Sequence, residues 1–115
     1  METIRNADLP AIEIYCNGGE AETAARYVGY GIEEEGLPYA VIRTPLTGAE
    51  ASELARRPGL GVVVLVTEEA AEVYTRLLKK QEPLFRVMLT DTKAALVAGK
   101  NAARIVKTKP FIEME

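Results

Sequence analysis

The apolar residues of this sequence fall into short continuous runs and into sets spaced like the turns of a helix. Short apolar runs bounded by turn residues predict β-strands. The run Val62–Val66 contains only valine and leucine, which is typical of a strand buried on both faces at the centre of a sheet. The strands predicted in this way cover Ala11–Cys16, Tyr39–Arg43, Gly61–Thr67 and Leu84–Leu89.

A first helix is predicted over Glu20–Glu35. Its apolar residues from Ala21 to Ile32 recur at intervals of 4, 3 and 4 residues, so they share one face. Gly36 follows at the position where a glycine commonly ends a helix, and Pro38 comes two residues later. The segment therefore has both an apolar face and a defined end.

Two further helices are predicted from their capping residues. One begins after Thr47, and Glu50 three residues later completes the pattern of a capping box. The other covers Lys93–Lys107, with Asp91 or Thr92 as its cap. Each predicted helix thus follows a predicted strand.

The segment Glu68–Gln81 is ambiguous, because its many helix formers favour a helix by propensity alone. Along the chain the predicted elements alternate as β-α-β-α-β, followed by the ambiguous segment and then β-α. That alternation predicts an α/β fold with a mostly parallel sheet and helices on both of its faces.

The composition limits the chemistry that the chain can perform. Its 115 residues are 48% apolar and 27% charged, which fits one globular domain over residues 1–115. There is no histidine, so mechanisms that need an imidazole are excluded, and the single Cys16 cannot form an intrachain disulfide. No signal segment or membrane-spanning stretch is visible, so we expect a cytoplasmic protein.

The net charge of −3 is unevenly distributed. Residues 1–60 carry 10 acidic and 5 basic side chains, a net −5, whereas residues 61–115 carry 7 acidic and 9 basic ones, a net +2. Such polarity suits a chain that docks onto another protein, although it is also common as scattered solvated charge. The acidic balance argues against general nucleic-acid binding.

Three consecutive carboxylates, Glu33, Glu34 and Glu35, lie at the predicted end of the first helix. This is the negative end of the helix dipole, so the placement is locally unfavourable. The run either consists of solvated charges or serves a function, and carboxylate oxygens are suitable ligands for hard cations such as magnesium.

The last predicted helix has a basic stripe and, next to it, an apolar stripe with Gly99 and Ala103 in its middle. Small residues at these positions allow close approach to a sheet or to another helix. The basic stripe is either a solvated face or a binding surface. It consists of Lys93, Lys100, Arg104 and Lys107.

Three segments resemble motifs of one family, the small subunits of diol and glycerol dehydratase reactivating factors. Residues 31–39, GIEEEGLPY, resemble that family's GIEEEGIP[FY]. Residues 100–111, KNAARIVKTKPF, resemble its C-terminal NNAARLVKGIPF, and the PLF at 83–85 matches a PLF before a strand. The motifs occur in the family's order, so the resemblance spans residues 10–112.

The resemblance implies a three-layer α/β/α domain similar to anticodon-binding domains. It also implies a non-catalytic, chaperone-like subunit that pairs with a large ATPase subunit, which binds the ATP. The complex acts on a cobalamin-dependent diol or glycerol dehydratase, where the small subunit displaces a similar subunit so that damaged cobalamin escapes. We therefore expect a hetero-oligomer, with a homodimer as the alternative for the isolated chain.

Two residue-level expectations follow from the resemblance. The middle glutamate of the family's GIEEEG binds a divalent metal at the contact with the large subunit, and it corresponds to Glu34 here, so the resemblance implies a shared ion such as magnesium. In the family, the ambiguous segment contains a strand antiparallel to the others. Gapless counting places that strand at about Ala70–Arg76.

Two other functions remain as alternatives. One is a structural component of a dehydratase that is similar to the dehydratase medium subunit. A true medium subunit is expected to carry additional N-terminal sequence, which counts against this alternative. The other is an RNA-binding module that uses the basic stripe of the last helix. The acidic balance and the aromatic content of 6% disfavour RNA binding.

Overall fold

In the part of the chain that the structure describes, a five-stranded mixed sheet forms the centre, and its strand order is β2-β1-β3-β4-β5. The structure, a computed structural model, describes residues 10–109, 111 and 112. The elements are β1 Ile12–Cys16, α1 Glu20–Glu34, β2 Tyr39–Arg43, α2 Gly48–Ala55, β3 Val62–Val66, β4 Ala70–Thr75, β5 Phe85–Met88 and α3 Thr92–Lys107.

Strand β1 pairs in parallel with β2 and β3, whereas β4 is antiparallel to both of its neighbours. Four strands therefore point one way and β4 points the other way. All five residues of β3 are buried, which confirms the prediction of a central strand. The α/β fold with a mixed sheet is likewise confirmed, and two of the four strand pairings are parallel while the other two are antiparallel.

The ambiguous segment contains strand β4, as the family spacing predicted. A tight turn precedes it, in which the backbone N–H of Ala70 donates to Oγ1 of Thr67 at 3.1 Å. Five of the six residues of β4 are buried between β3 and β5. Burial in the sheet thus outweighs the helix propensity of this sequence, because strand formation depends mainly on packing against neighbouring strands.

Helices lie on both faces of the sheet. Successive side chains of a strand point to opposite faces, so each strand supplies residues to both sides. Helices α1 and α3 pack on the face formed by residues such as Ile14, Val64 and Val73. Helix α2 packs on the other face, against residues such as Leu65 and Tyr74. None of these described helices is both long and apolar enough to cross a membrane.

The predicted ends of the first and last helices lie within one residue of the observed ones, since α1 ends at Glu34 instead of Glu35 and α3 begins at Thr92 instead of Lys93. The backbone N–H of Glu50 donates to Oγ1 of Thr47 at 3.1 Å, and the reciprocal bond to Oε1 of Glu50 is 2.9 Å, which completes the capping box. Asp91, rather than Thr92, caps α3 by accepting from the N–H of Ala94. After α1 the chain turns at Gly36, whose φ is +85°. Pro110, which follows the last helix in the sequence, lies outside the described residues.

Candidate interaction site at the ends of α1 and α3

Helices α1 and α3 pack with their backbones in direct contact, and a glycine on each helix makes this possible. A Cβ atom at Gly31 would collide with the carbonyl oxygen of Leu96. A Cβ atom at Gly99 would collide with the carbonyl oxygen of Val28. The expectation that the small residues of the last helix allow close approach is therefore confirmed, and the neighbour is another helix.

The two helices run in the same direction. Ala24 and Ala95, in the first halves of α1 and α3, line one cleft, while Glu35 at the end of α1 contacts Lys107 at the end of α3. The glycine contacts lie between these points. This arrangement brings the acidic run of α1 against the basic stripe of α3.

Glu35 is the most buried carboxylate of the acidic run, with 11% of its side chain exposed. Nη2 of Arg104 donates to its Oε2 at 3.1 Å, and Nζ of Lys107 lies 3.7 Å from its Oε1. Burial alone would raise the pKa of this carboxyl. The hydrogen bond from Arg104 and the charges of Arg104, Lys107 and Lys109 nevertheless hold the pKa below its usual value. Glu35 is thus a structural partner of α3 and not a solvated charge.

Glu34 is much more accessible, with 54% of its side chain exposed. Its Oε1 lies 3.0 Å from Nζ of Lys100, and Glu33 beside it is exposed as well. Among the described residues there is no group of three or more histidine, cysteine or acidic side chains that could hold a metal ion. The carboxylate of Glu34 is thus accessible to groups outside the chain, unlike that of Glu35.

Two of the segments that carry the family motifs, residues 83–85 and 100–111, also make contacts with the last described residues, 111 and 112. Asn101 is buried, and its Oδ1 accepts from the N–H of Ile112 at 2.7 Å while its Nδ2 donates to the carbonyl of Ile112 at 3.1 Å. The rings of Phe85 and Phe111 pack edge to face with their centroids 5.3 Å apart. Asn101 was not predicted as a site residue, although an asparagine among the alanines of a helix face signals a specific hydrogen-bonded role.

A second candidate site is a cleft at the opposite end of the sheet from the ends of α1 and α3, but its lining is poorly suited to an anionic ligand. It has a volume of about 720 Å³ and lies at the carboxyl ends of β1 and β3, where open α/β sheets often bind ligands. Its lining includes Glu68 and Glu69, whose charges disfavour an anion. Cys16 is fully buried at the end of β1 and does not line this cleft, in keeping with an apolar packing role.

This α/β chain belongs to the dehydratase medium subunit family, whose model matches residues 9–112. The resemblance that the three motifs indicated is thereby confirmed. The chain is 33% identical over 111 residues to the propanediol dehydratase-reactivating factor small subunit of Citrobacter freundii, covering 94% of this chain and 95% of that protein. It is 34% identical over 112 residues to the diol dehydratase-reactivating factor small subunit of Klebsiella michiganensis, covering 95% and 89%.

Solved structures agree with the sequence comparisons. The fold is similar to that of a chain in a diol dehydratase-reactivating factor complexed with ADP and Mg²⁺, with a TM-score of 0.77 and 34% identity. The similarity covers 90% of this chain and 98% of that one. A chain of a glycerol dehydratase reactivase, at 23% identity and a TM-score of 0.76, shares the fold.

Proposed function

We propose that this chain is the non-catalytic, chaperone-like small subunit of a dehydratase-reactivating factor. In this proposal it pairs with a large ATPase subunit, which binds and hydrolyses the ATP. The small subunit then displaces a similar subunit from a diol or glycerol dehydratase, so that damaged cobalamin leaves. The observation that carries the proposal is similarity over nearly the whole length of both proteins, in sequence and in fold.

The fold supports this proposal at a finer level. Helices on both faces of the five-stranded sheet favour a three-layer α/β/α arrangement similar to that of anticodon-binding domains. A domain that replaces a look-alike subunit needs a matching shape rather than a catalytic cleft. Its working parts are therefore docking surfaces.

Glu34 is the residue that we propose to contact a shared divalent ion, such as magnesium, at the interface with the large subunit. Its exposure supports this role, because a carboxylate at the surface can reach ligands on a second protein. The neighbouring Glu35 is unsuited to it, since Arg104 and Lys107 already occupy that carboxylate.

A pull-down from the native host tests the proposal. The tagged chain is expected to recover a large ATPase subunit, and ATP is expected to change how much of it is retained. Inactivated dehydratase added to the recovered complex should then release its cobalamin, measured by visible absorption, only when ATP is present. Recovery of neither an ATPase nor a dehydratase would overturn the proposal.

A second candidate function is that of a structural component of the dehydratase, as the description of the matching family itself suggests. In that case the chain should copurify with dehydratase subunits and cobalamin, and no ATPase should be recovered. An RNA-binding role has less support, because Lys100, Arg104 and Lys107 of the basic stripe lie against carboxylates of α1. A salt titration with RNA separates that role from the other two.

A further inference from the structure

An exposed leucine lies among basic side chains just after β4. Leu77 is 76% exposed, more than any other large apolar side chain among the described residues. Arg76 precedes it, and Lys79 and Lys80 follow it, all three exposed. Isolated exposed leucines are common, so the surroundings of Leu77 decide whether this one has a role.

Helix α2 ends at the same place and adds two further cations. Nη2 of Arg56 donates to the carbonyl oxygen of Lys79 at 2.6 Å, which ties the end of α2 to the segment after β4. The side chain of Arg76 lies over Gly61, and Arg57 lines the same cleft as that glycine. We call this surface the Leu77 patch; its members are Leu77, Arg57, Arg76, Lys79 and Lys80.

The cations of the Leu77 patch are not neutralised within the described part of the chain. Arg56 pairs with Glu53 at 3.4 Å, but no ion pair to a carboxylate is formed by the other cations, Arg57, Arg76, Lys79 and Lys80. In contrast, the basic residues in the second half of α3 lie against the acidic end of α1. The Leu77 patch therefore combines an apolar centre with a rim of basic side chains that form no ion pair to a described carboxylate.

The patch lies at the same end of the sheet as Glu34. Helix α1 ends where the parallel strands begin, since β2 follows it and runs parallel to β1. Strand β4 is antiparallel to β3, so it also ends there, and Leu77 follows it directly. A partner that contacts Glu34 at this end of the molecule can extend across it to the patch.

We propose that the Leu77 patch docks into an apolar pocket rimmed by carboxylates on the large subunit of the reactivating factor. An apolar centre with a polar rim is the usual anatomy of a protein–protein interface. A nucleic acid would use the cations and leave the leucine without a partner. This inference rests on the proposed function for the identity of the partner. The arrangement of Leu77 among the cations specifies the chemistry of the partner's surface.

The test measures binding of the purified large subunit from the same organism to the wild-type chain and to two patch variants. Leu77→Ser removes the apolar centre, and Lys79→Glu combined with Lys80→Glu reverses part of the rim. Each is expected to raise the dissociation constant by about tenfold or more. Raising the salt from about 0.05 to about 0.5 M should weaken wild-type binding clearly and binding of the double variant much less.

Matched controls come from exposed residues at other places. Met88→Ser removes another exposed apolar side chain, and Lys93→Glu reverses another exposed charge; both should bind within about twofold of wild type. Unchanged circular dichroism and melting temperature establish that all variants fold. Wild-type affinity in both patch variants would overturn this inference, as would tight binding of the patch to RNA or to dehydratase in place of the large subunit. Failure of the wild-type chain to bind any large subunit would instead overturn the proposed function.

Discussion

The Nζ atom of Lys100 lies 3.0 Å from Oε1 of Glu34, so the carboxylate proposed to bind a shared metal ion already faces a cation of its own chain. Both side chains are partly exposed, at 30% for Lys100 and 54% for Glu34. An ion pair of this kind contributes only about 0–1 kcal/mol, because water screens it. A divalent ion with ligands from two proteins can therefore replace the ammonium group.

Glu34→Gln is expected to weaken assembly with the large subunit in magnesium by about tenfold or more, because a neutral amide is a much poorer ligand for a hard cation. The fold should remain intact, since the side chain is exposed. Analytical ultracentrifugation of the two subunits measures the effect. Glu33→Gln, an equally conservative change at the adjacent exposed carboxylate, is the matched control. Undiminished assembly of Glu34→Gln in magnesium would contradict the metal role.

Lys100→Met should have the opposite effect on the metal. Without the ammonium group, the carboxylate of Glu34 is free to bind the ion, so half-maximal assembly should need about two- to fivefold less magnesium. A titration of assembly against magnesium concentration gives this value directly. A requirement for more magnesium in the variant would show that Lys100 supports the metal site and does not compete with it.

Gly99→Ala tests the contact between the backbones of α1 and α3. The added methyl group would collide with the carbonyl oxygen of Val28, so the helices must move apart. Overpacking of this kind costs about 1–3 kcal/mol, although alanine regains up to about 1 kcal/mol of helix propensity. Urea denaturation should therefore show a net loss of stability. Lys93→Ala, at an exposed position of the same helix, should be close to neutral.

Stability should fall in acid because of Glu22. Arg43 and Arg26 hydrogen-bond its carboxylate and lower its pKa from the ordinary 4.5 to about 2 in the folded protein. The unfolded chain thus binds this proton at a higher pH than the folded chain does. The stabilisation is fully present above about pH 4.5 and is lost as the pH falls towards 2.

The free energy of unfolding, measured in urea between pH 6 and pH 2.5, is the observable. In Glu22→Gln the decline over this range should be shallower than in wild type, because the titrating group is absent. Glu20→Gln, an exposed change in the same turn of α1, should leave the decline as it is. Parallel pH profiles for wild type and Glu22→Gln would contradict the assignment.

Local signals in the sequence were enough to predict several elements. The capping box of Thr47, the glycine after α1 and the all-apolar β3 are each specified by neighbouring residues, so all three appear in the structure as predicted. Strand β4 was different, because its own sequence favours a helix. Only its spacing from the family motifs indicated a strand, since its stability comes from the strands on either side.

The candidate site depended on contacts between residues far apart in sequence, and these could not be predicted from pattern. Glu35 was expected to be either solvated or functional, yet its partner Arg104 lies 69 residues further along the chain. The bond between Glu22 and Arg43 spans 21 residues and was likewise not foreseen. Such pairs are determined by how α1 packs on α3 and β2, which no local spacing encodes. The metal role of Glu34 remains a prediction.

Among residues 10–109, 111 and 112, the strand order leaves β2 and β5 at the two edges of the sheet, where their outer backbone groups face no further strand. Strand β5 has only four residues, with the charged Arg86 among them, and β2 ends in the exposed Arg43. Short edges that carry charge are poor templates for the addition of another chain. Both edges can therefore remain exposed with little tendency to extend the sheet into fibrils.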